Sequence, residues 1–212
     1  MVVHLSTRTT PGPTPVRGAG RLRSPYALFV VIVLIVGGVV WSLALRGSDV
    51  ATQAAACPVT PAAEDAGLRA QSANALDAVE PALLADTRVR VLNANGQSGQ
   101  AGAVAAQLAE SGFQPAGADA TGNDPVYAQD LECHGQIRYG DAGQANARSL
   151  SLAAPCMQLV SDGRDDATTD LVLGTIFSRL SDSAAAVGAL DELKVGRRPI
   201  STELEAARAV DC

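Results

Sequence analysis

Two groups of residues in this sequence have the chemistry of a ligand-binding site. The first lies in a glycine-rich turn between a predicted strand and an alanine-rich helix, and its candidates are Asn93, Asn95, Gly96, Ser98 and Gly99. Glycines before a helix let backbone N–H groups face an anion such as a phosphate. The spacing matches neither a P-loop nor the G-x-G-x-x-G fingerprint. A turn that only redirects the chain, with Ser98 capping the helix, is the alternative.

The second group consists of arginines on one face of two predicted strands. These candidates are Arg88, Arg90 and Arg138. In T-R-V-R-V-L-N (87–93) and in the strand predicted at 135–140, they alternate with apolar residues and therefore point away from the helices. If the two strands are neighbours, the arginines form a cluster that can hold the phosphate of a lipid-linked or cell-wall intermediate. Alternatively, acidic flanking helices, such as the one around Glu203 and Glu205, cover this face and pair with them.

Residues suited to catalysis or metal binding are scarce. His134 is the only histidine after the first 48 residues, and it adjoins Cys133, which gives a weak case for zinc or for a nucleophile–base pair. The densest acids, S-D-G-R-D-D at 161–166, are typical of a solvated turn rather than of a calcium or glycosidase site. We therefore predict no enzyme, no catalytic residues, no cofactor and no metal.

An uncharged run of 20 residues, from Tyr26 to Leu45, predicts a membrane anchor. At about 1.5 Å of rise per residue, a helix of this length reaches roughly 30 Å, the thickness of the hydrocarbon core. A cleaved signal peptide is the alternative, but its apolar core is normally only about 7 to 15 residues long. Four arginines and no acid precede the run, so the N terminus is predicted to be cytoplasmic and the remaining chain extracytoplasmic.

The charge of the chain is sorted along its length. The first 48 residues hold five of the 16 basic residues and none of the 22 acids, so the rest of the chain has a net charge of -11 against -6 for the whole. A domain of this charge is not expected to bind nucleic acid through its overall field. We expect the membrane as a partner, and a cell-wall glycopolymer, a lipid-linked intermediate or an envelope protein as further partners.

All four cysteines follow the apolar run, in a compartment where disulfides persist. Their even number suits two bridges, and the C-x-x-C pairs typical of zinc sites are missing. Four cysteines allow three pairings. The pairing that we favour is Cys133–Cys156 with Cys57–Cys212.

The predicted fold class is α/β (α+β): one N-terminal transmembrane helix followed by an extracytoplasmic domain with two βαβ-like halves in one small sheet, with a ferredoxin-like order as the working topology. N- and C-terminal helices flank this sheet. The C-terminal part is predicted as two short helices, the first at 184–194 after a cap at 181–183, the second with a capping box from Thr202 and Glu205.

The predicted segments follow from these elements. They are a disordered cytoplasmic tail at 1–24, the transmembrane helix at 25–46, a linker at 47–60, a flanking helix at 61–86, the α/β domain at 87–175 and a C-terminal helical extension at 176–212.

The run V-R-V-L-N-A-N-G-Q-S-G-Q-A-G, which continues into a helix ending in G-F, resembles the opening of the LytR C-terminal domain. In that family a V-x-V-L-N-x-x-G strand and turn precede such a helix, and Asn93, Gly96 and Gly99 match positions of the turn. The later I-R-Y-G-D-A-G-Q-A-N-A-R-S-L resembles the family's second strand and helix. The resemblance covers residues 87–174.

Full-length LytR-type proteins also carry a catalytic domain that transfers glycopolymers to the wall. That domain is absent from this sequence, so the resemblance implies a binding or scaffolding role in the cell envelope rather than transferase activity. The expected function is to maintain envelope integrity by binding a cell-wall or lipid component. The alternative is an accessory subunit that docks on a wall-polymer ligase or transferase without a ligand of its own.

Overall fold

One mixed β-sheet of seven strands is the centre of residues 47–212. This computed structural model describes residues 29–38, 56–58, 60–210 and 212. The strands are β1 Arg69–Ala70, β2 Arg88–Asn93, β3 Gln114–Pro115, β4 Thr121–Asn123, β5 Gly135–Tyr139, β6 Gln158–Ser161 and β7 Thr169–Leu173. The helices of this unit are α1 Pro61–Asp65, α2 Gln100–Ser111, α3 Gln144–Ala153, α4 Ala184–Lys194 and α5 Ser201–Arg208, with a 3-10 turn at Asp141–Gly143 before α3.

The strand order is β1-β6-β5-β7-β2-β3, and β4 also pairs with β2. Helix α2 connects β2 to β3, and helix α3 connects β5 to β6, so each parallel pair with its helix is a βαβ unit. The two predicted βαβ-like halves are therefore present, but the ferredoxin-like order is wrong. In that order another strand separates the parallel strands of each unit, whereas here they are direct neighbours. Strand β7 lies between the two units, parallel to β2 and antiparallel to β5.

Alternation along the central strands gives the sheet two different faces. Val91 and Leu171 belong to the larger core, which α2, α3, α4 and α5 cover. Their chain neighbours Leu92 and Val172 belong to a smaller core with Leu131 on the opposite side. Because successive strand residues point to opposite faces, a strand that is buried on both sides reads as a continuous apolar run. The side covered by the four helices is called the helix face below, and the other side the open face.

Two predicted helical regions differ in outcome. The flanking helix predicted at 61–86 is wrong, because α1 ends after five residues, Gly67 has a left-handed φ of 75°, and turns lead on to β2. That prediction rested on the apolar spacing of Leu68, Leu76 and Val79, and these residues contact the two cores without forming a helix. Helix α4 begins and ends where predicted, and Ser183 caps it.

In α5, the side-chain partner of the first turn is Glu203, which accepts from the N–H of Ile200 at 3.0 Å. The predicted capping box from Thr202 and Glu205 therefore has the wrong register.

Residues 29–38 of the predicted membrane anchor are described, and they are helical. The other residues of the anchor lie outside the described ranges. Across the described ranges, none of the helices combines the length and the apolar character that crossing a bilayer requires. The predicted tail at 1–24 and most of the linker at 47–60 also lie outside the described ranges.

The disulfides pair differently from the prediction. Cys57 is bonded to Cys133, and Cys156 to Cys212. The predicted pairing fails because Cys133 belongs to the small core on the open face. Cys156 instead lies beside the end of the chain that follows α5, on the helix face. The first pair, called the buried bridge, holds the segment before α1 against the sheet, and the second, called the C-terminal bridge, holds the chain end.

Candidate functional site

The arginines of the second candidate group do not form one cluster. They do lie on the open face, as their alternation predicted, but β7 separates β2 from β5. Asp170 of β7 is in register with Arg90 on one side and with Arg138 on the other. A carboxylate therefore lies between the two guanidinium groups, and Arg88 is exposed at the start of β2.

Asp170 is the centre of a buried ion network. Arg90 donates to it through two nitrogens, at 3.0 and 2.7 Å, and Arg164 donates at 3.2 and 2.6 Å. Arg164 also donates to Asp162 at 2.8 Å. The Asp170 side chain is 3% exposed and that of Arg90 is 42% exposed, so one end of the network meets solvent. These paired donors and acceptors hold the side chains in fixed positions.

The charges in this network shift the pKa values of its members. Burial acts to raise the pKa of Asp170, but the hydrogen bonds from Arg164 and Arg90 outweigh it and hold that pKa below its ordinary value. Burial acts to lower the pKa of Arg164, and the bonds to Asp170 and Asp162 reverse this, so that pKa lies above its ordinary value. Asp170 and Arg164 therefore remain charged at neutral pH.

The loop that carries Arg164 is held close to the sheet by Gly140. A Cβ at Gly140 would lie 1.8 Å from the carbonyl oxygen of Arg164, which is far inside any allowed contact. The absent side chain lets the 162–168 loop reach over the end of β5. The sequence S-D-G-R-D-D is thus a turn that contributes Asp162 and Arg164 to the network.

Arg138 is in a separate, fully buried ion pair with Asp124. Its guanidinium donates to the two carboxylate oxygens at 2.6 and 3.3 Å, and the side chains are 4% and 0% exposed. Asp124 also accepts from the N–H groups of Val126 and Tyr127, and the Arg138 guanidinium lies 5.6 Å from the Tyr127 ring centroid. Arg138 is therefore fixed within the protein, and its charge is already compensated.

A groove of about 740 Å³ opens above these residues on the open face. Its walls are formed by Ala66, Leu68, Arg90, Ala116, Gly117, Ala118, Asp119, Pro125, Val126, Arg138, Asp162, Arg164, Asp166, Thr168 and Asp170. Four aspartates and three arginines line it, so the groove offers many hydrogen-bond donors and acceptors without a net positive charge. We call it the open-face groove.

Two sequence-based expectations about this face need correction. The first is that the three arginines form one cationic cluster: β7 separates Arg90 from Arg138, and Asp170 and Asp124 neutralise these two. The second is that Glu203 and Glu205 cover the face and pair with the arginines. Helix α5 instead packs its Leu204 and Ala207 into the core on the helix face. A role of Arg88, Arg90 and Arg138 in binding a ligand stays a prediction.

The glycine-rich turn uses its polar side chains to hold its own shape. Asn93 donates to the carbonyl of Gln97 at 2.8 Å. Asn95 donates to the carbonyl of Gly174 at 2.9 Å and accepts from the N–H of Gln97 at 3.0 Å. Gly96, which follows Asn95, has a left-handed φ of 73°. These bonds fix the turn to the end of β7, which explains two asparagines at this spacing without a ligand.

Helix α2 is preceded by Gly99 as its cap rather than by Ser98. Gly99 is the N-cap with a left-handed φ of 82°, so the predicted serine cap is wrong. In the part of the chain that the structure describes, the exposed Ser98 side chain makes no hydrogen bond, and the buried Oδ1 of Asn93 has no partner. A second groove, of about 550 Å³, lies beside these residues. Binding by the five turn residues stays a prediction.

The candidates for metal or acid–base chemistry are dispersed. Both cysteine pairs are oxidised, so their sulfurs are not thiolate ligands. No group of three or more potential metal ligands occurs among the described residues.

Sequence reasoning missed Asp124 and Asp170, which decide the charge of the open face. Asp170 is the one charged residue in the otherwise apolar strand T-D-L-V-L, and this isolated charge is the feature of the sequence that indicates a buried ion pair. A charged residue in a strand that is apolar on both faces is expected to have a buried partner. For Asp124, which lies between β4 and the 125–127 turn, the sequence offers no comparable signal.

Comparisons with known proteins agree with this fold. The family model LytR_C, described as LytR cell envelope-related transcriptional attenuator, matches residues 86–177. The cell envelope integrity protein Cei of Mycobacterium tuberculosis is 41% identical over 192 residues, which cover 86% of this chain and 85% of Cei. The solved soluble domain of a secreted protein from Mycobacterium marinum, an Rv2700 ortholog, is 44% identical, with a TM-score of 0.63. That match covers 68% of this chain and 97% of the solved one.

Proposed function

Because this chain belongs to the family of Cei and carries its LytR C-terminal domain, we propose that it maintains the cell envelope by binding a saccharide component of the wall in the open-face groove. The relatives support an envelope-associated, extracytoplasmic role in general. The wall saccharide, and the groove as its site, are the specific parts of the proposal.

The balanced charge of the groove is the observation that carries this proposal. An isolated cluster of arginines would favour phosphate, but here each buried guanidinium already has a carboxylate partner. What the groove offers is a dense array of fixed donors and acceptors, which suits the hydroxyl groups of a neutral saccharide. Leu68, Pro125 and Val126 add apolar contacts for the carbon faces of sugar rings.

The shape of the groove adds to the argument. Its volume of about 740 Å³ accommodates a ligand of several sugar units, and its floor is held by the Asp170 network before any ligand arrives. A site that is fixed in advance loses little conformational entropy on binding. Since the residues in the groove are paired with one another, we propose binding without a chemical reaction, and therefore no enzymatic activity.

Anchoring to the membrane is a further part of the proposal. The uncharged run from Tyr26 to Leu45 is long enough to span a bilayer, and the arginines before it favour a cytoplasmic N terminus. In this arrangement the groove belongs to a domain tethered next to the wall. Replacing Ile35 and Val36 with arginines should release the chain from the membrane fraction, and continued membrane retention would contradict a single apolar anchor.

Binding can be tested with the full chain in detergent micelles and saccharide fragments released from isolated walls by muramidase. Arg90→Gln removes a half-exposed donor from the groove while Asp170 keeps its bonds from Arg164. We expect this variant to bind the fragments at least about fivefold more weakly, the loss of one good hydrogen bond to a charged group. Arg88→Gln is the matched control, because Arg88 is exposed on the same strand outside the groove.

The result of this comparison decides the proposal. Weaker binding by Arg90→Gln with unchanged binding by Arg88→Gln supports the open-face groove. No retention of any fragment by the wild-type chain, or equal retention by both variants, would contradict it. Circular dichroism of the two variants shows whether they are folded alike.

Docking on a protein partner is the second candidate function, and a specific observation favours it. Val195 and Ile200, in the connection between α4 and α5, are 63% and 64% exposed. Both residues belong to the same six-residue connection, and a contiguous apolar patch on a protein surface marks a contact site. If a wall-polymer ligase or transferase docks there, Val195→Ser with Ile200→Ser should abolish its crosslinking to the chain. Crosslinking that is unchanged in the double variant would exclude this surface.

A further inference from the structure

Two arginines on the helix face share a single carboxylate. Arg148 of α3 and Arg208 at the end of α5 both donate to Oδ1 of Asp77, at 3.2 Å from Arg148. The Arg148 side chain is 3% exposed and that of Arg208 is 18% exposed, whereas Asp77 is 55% exposed. Among the described residues, one carboxylate therefore pairs with both cations, and that carboxylate is partly in solvent.

The hydrogen bonds of this pair are incomplete. Two guanidinium groups carry about ten N–H donors. The described residues accept three hydrogen bonds from them, two at Asp77 and one at the carbonyl of Ala73. The Nε atoms of Arg148 and Arg208 are both buried without an acceptor. Buried donors on charged groups are costly to leave unpaired, so the pair is short of acceptor oxygens.

The electrostatic balance agrees with this count. Burial lowers the pKa of Arg148, the charge of Arg208 lowers it further, and Asp77 only partly offsets both. Glu205 also lines the site, but it is exposed and forms no ion pair with either arginine within the described residues. Within the described residues Asp77 is thus the carboxylate paired with both guanidinium groups, and the Glu205 carboxylate at the rim repels an anion that approaches them.

A pocket of about 290 Å³ opens over the two arginines, with Ala73 and Ala209 among its apolar wall residues. This volume is at the lower end of the range for small-molecule sites. We propose that Arg148 and Arg208 form an anion site for a phosphate ester, whose oxygens accept the hydrogen bonds that Asp77 leaves unmade. The site lies on the helix face and is independent of the saccharide proposal for the open-face groove.

Inorganic phosphate is the probe for this site, added to the full chain in a zwitterionic detergent and followed by thermal unfolding and isothermal titration calorimetry. For a Kd of about 1 mM, 20 mM phosphate should raise the unfolding midpoint by about 4–7 °C relative to chloride at equal ionic strength. Arg208→Gln should abolish this shift. Glu205→Gln, which removes the repulsive carboxylate at an exposed position, should increase the affinity for phosphate about two- to fivefold.

These variants separate a site from a general salt effect. Phosphate stabilises many proteins without binding, and such an effect would be equal in the wild-type chain and both variants. An equal shift in all three, or no heat of binding with the wild-type chain, would overturn the proposal. The Glu205→Gln result holds even if Arg208→Gln fails to fold, because an affinity unchanged by removing Glu205 also counts against an anion in this pocket.

Lipid vesicles distinguish the two sources of a phosphate ester. Retention of the chain on phosphatidylglycerol vesicles beyond its retention on phosphatidylcholine vesicles, lost on adding inorganic phosphate, would identify a lipid headgroup. Binding of inorganic phosphate with equal retention on both vesicles would identify a soluble phosphate ester. Both outcomes support the site, and each requires that Arg208→Gln removes the effect.

Discussion

Removing one partner of the Arg138–Asp124 pair should destabilise the protein strongly. The change is Asp124→Asn, which keeps an oxygen to accept the N–H groups of Val126 and Tyr127 but removes the charge. Both side chains are almost completely buried, at 4% and 0% exposure, so water cannot replace the lost partner. A buried charge that loses its partner costs about 3–5 kcal/mol of folding free energy, and we expect about 3 kcal/mol.

The converse change, Arg138→Met, should cost less, about 2 kcal/mol. The carboxylate of Asp124 keeps two backbone donors, and the methionine fills part of the space beside Tyr127. In the double variant no unpaired charge remains, so its loss should be about 3 kcal/mol rather than the sum of the single losses. The coupling energy between the two positions is then about 2 kcal/mol.

Urea unfolding followed by far-ultraviolet circular dichroism measures these differences, provided that the slope of the free energy with urea is unchanged. Arg88→Met is the matched control, because Arg88 is exposed and its loss should change stability by less than about 0.5 kcal/mol. A coupling energy below about 0.5 kcal/mol would refute the reasoning, since it would mean that solvent screens the pair.

Three further predictions follow from the structure. Non-reducing peptide mapping should recover the buried bridge and the C-terminal bridge as the two linked pairs, and a dilute thiol should reduce the C-terminal bridge first, because Cys212 is exposed. Gly99→Ala should lower the free energy of unfolding by about 1–2 kcal/mol, because Gly99 has a left-handed φ of 82°. Gly102→Ala, which has open space around it in α2, should raise the free energy of unfolding by about 0.5–1 kcal/mol in the same urea assay. The pKa of Asp170 is lowered in the folded state, so the charged carboxylate stabilises the fold above its ordinary pKa, and this contribution is lost as the pH falls through the pKa of the folded state. The difference in free energy of unfolding between the wild-type chain and Asp170→Asn should therefore become smaller in acid. A difference that does not depend on pH would contradict the ion network.

Local sequence patterns predicted the local elements well. The strand, turn and helix from β2 to Ser111, the glycine that ends this helix, and the bounds of α4 agree with the structure. Each of these has a signal within a few residues, such as alternation, a glycine at the end of a helix or a serine before one. The family resemblance to the LytR C-terminal domain is also confirmed.

Features that depend on distant residues could not be predicted in the same way. The apolar spacing of Leu68, Leu76 and Val79 fitted a helix, but this segment consists of turns that bury Leu76 and Leu84 in the larger core. The cysteine pairing depends on which side of the sheet each cysteine occupies. Neither fact has a local signal, because both follow from how elements far apart in the sequence pack.

The open face shows how one such unpredictable fact changes a functional interpretation. Alternation correctly placed Arg90 and Arg138 on that face, and their charge then suggested a phosphate site. Strand β7, the last in chain order, lies between the two βαβ units and places Asp170 between the arginines. The charge of a sheet face is therefore set by strand order as much as by residue type. Among the described residues, the buried guanidinium nitrogens that lack an acceptor are instead on the helix face, at Arg148 and Arg208, where no strand pattern pointed to them.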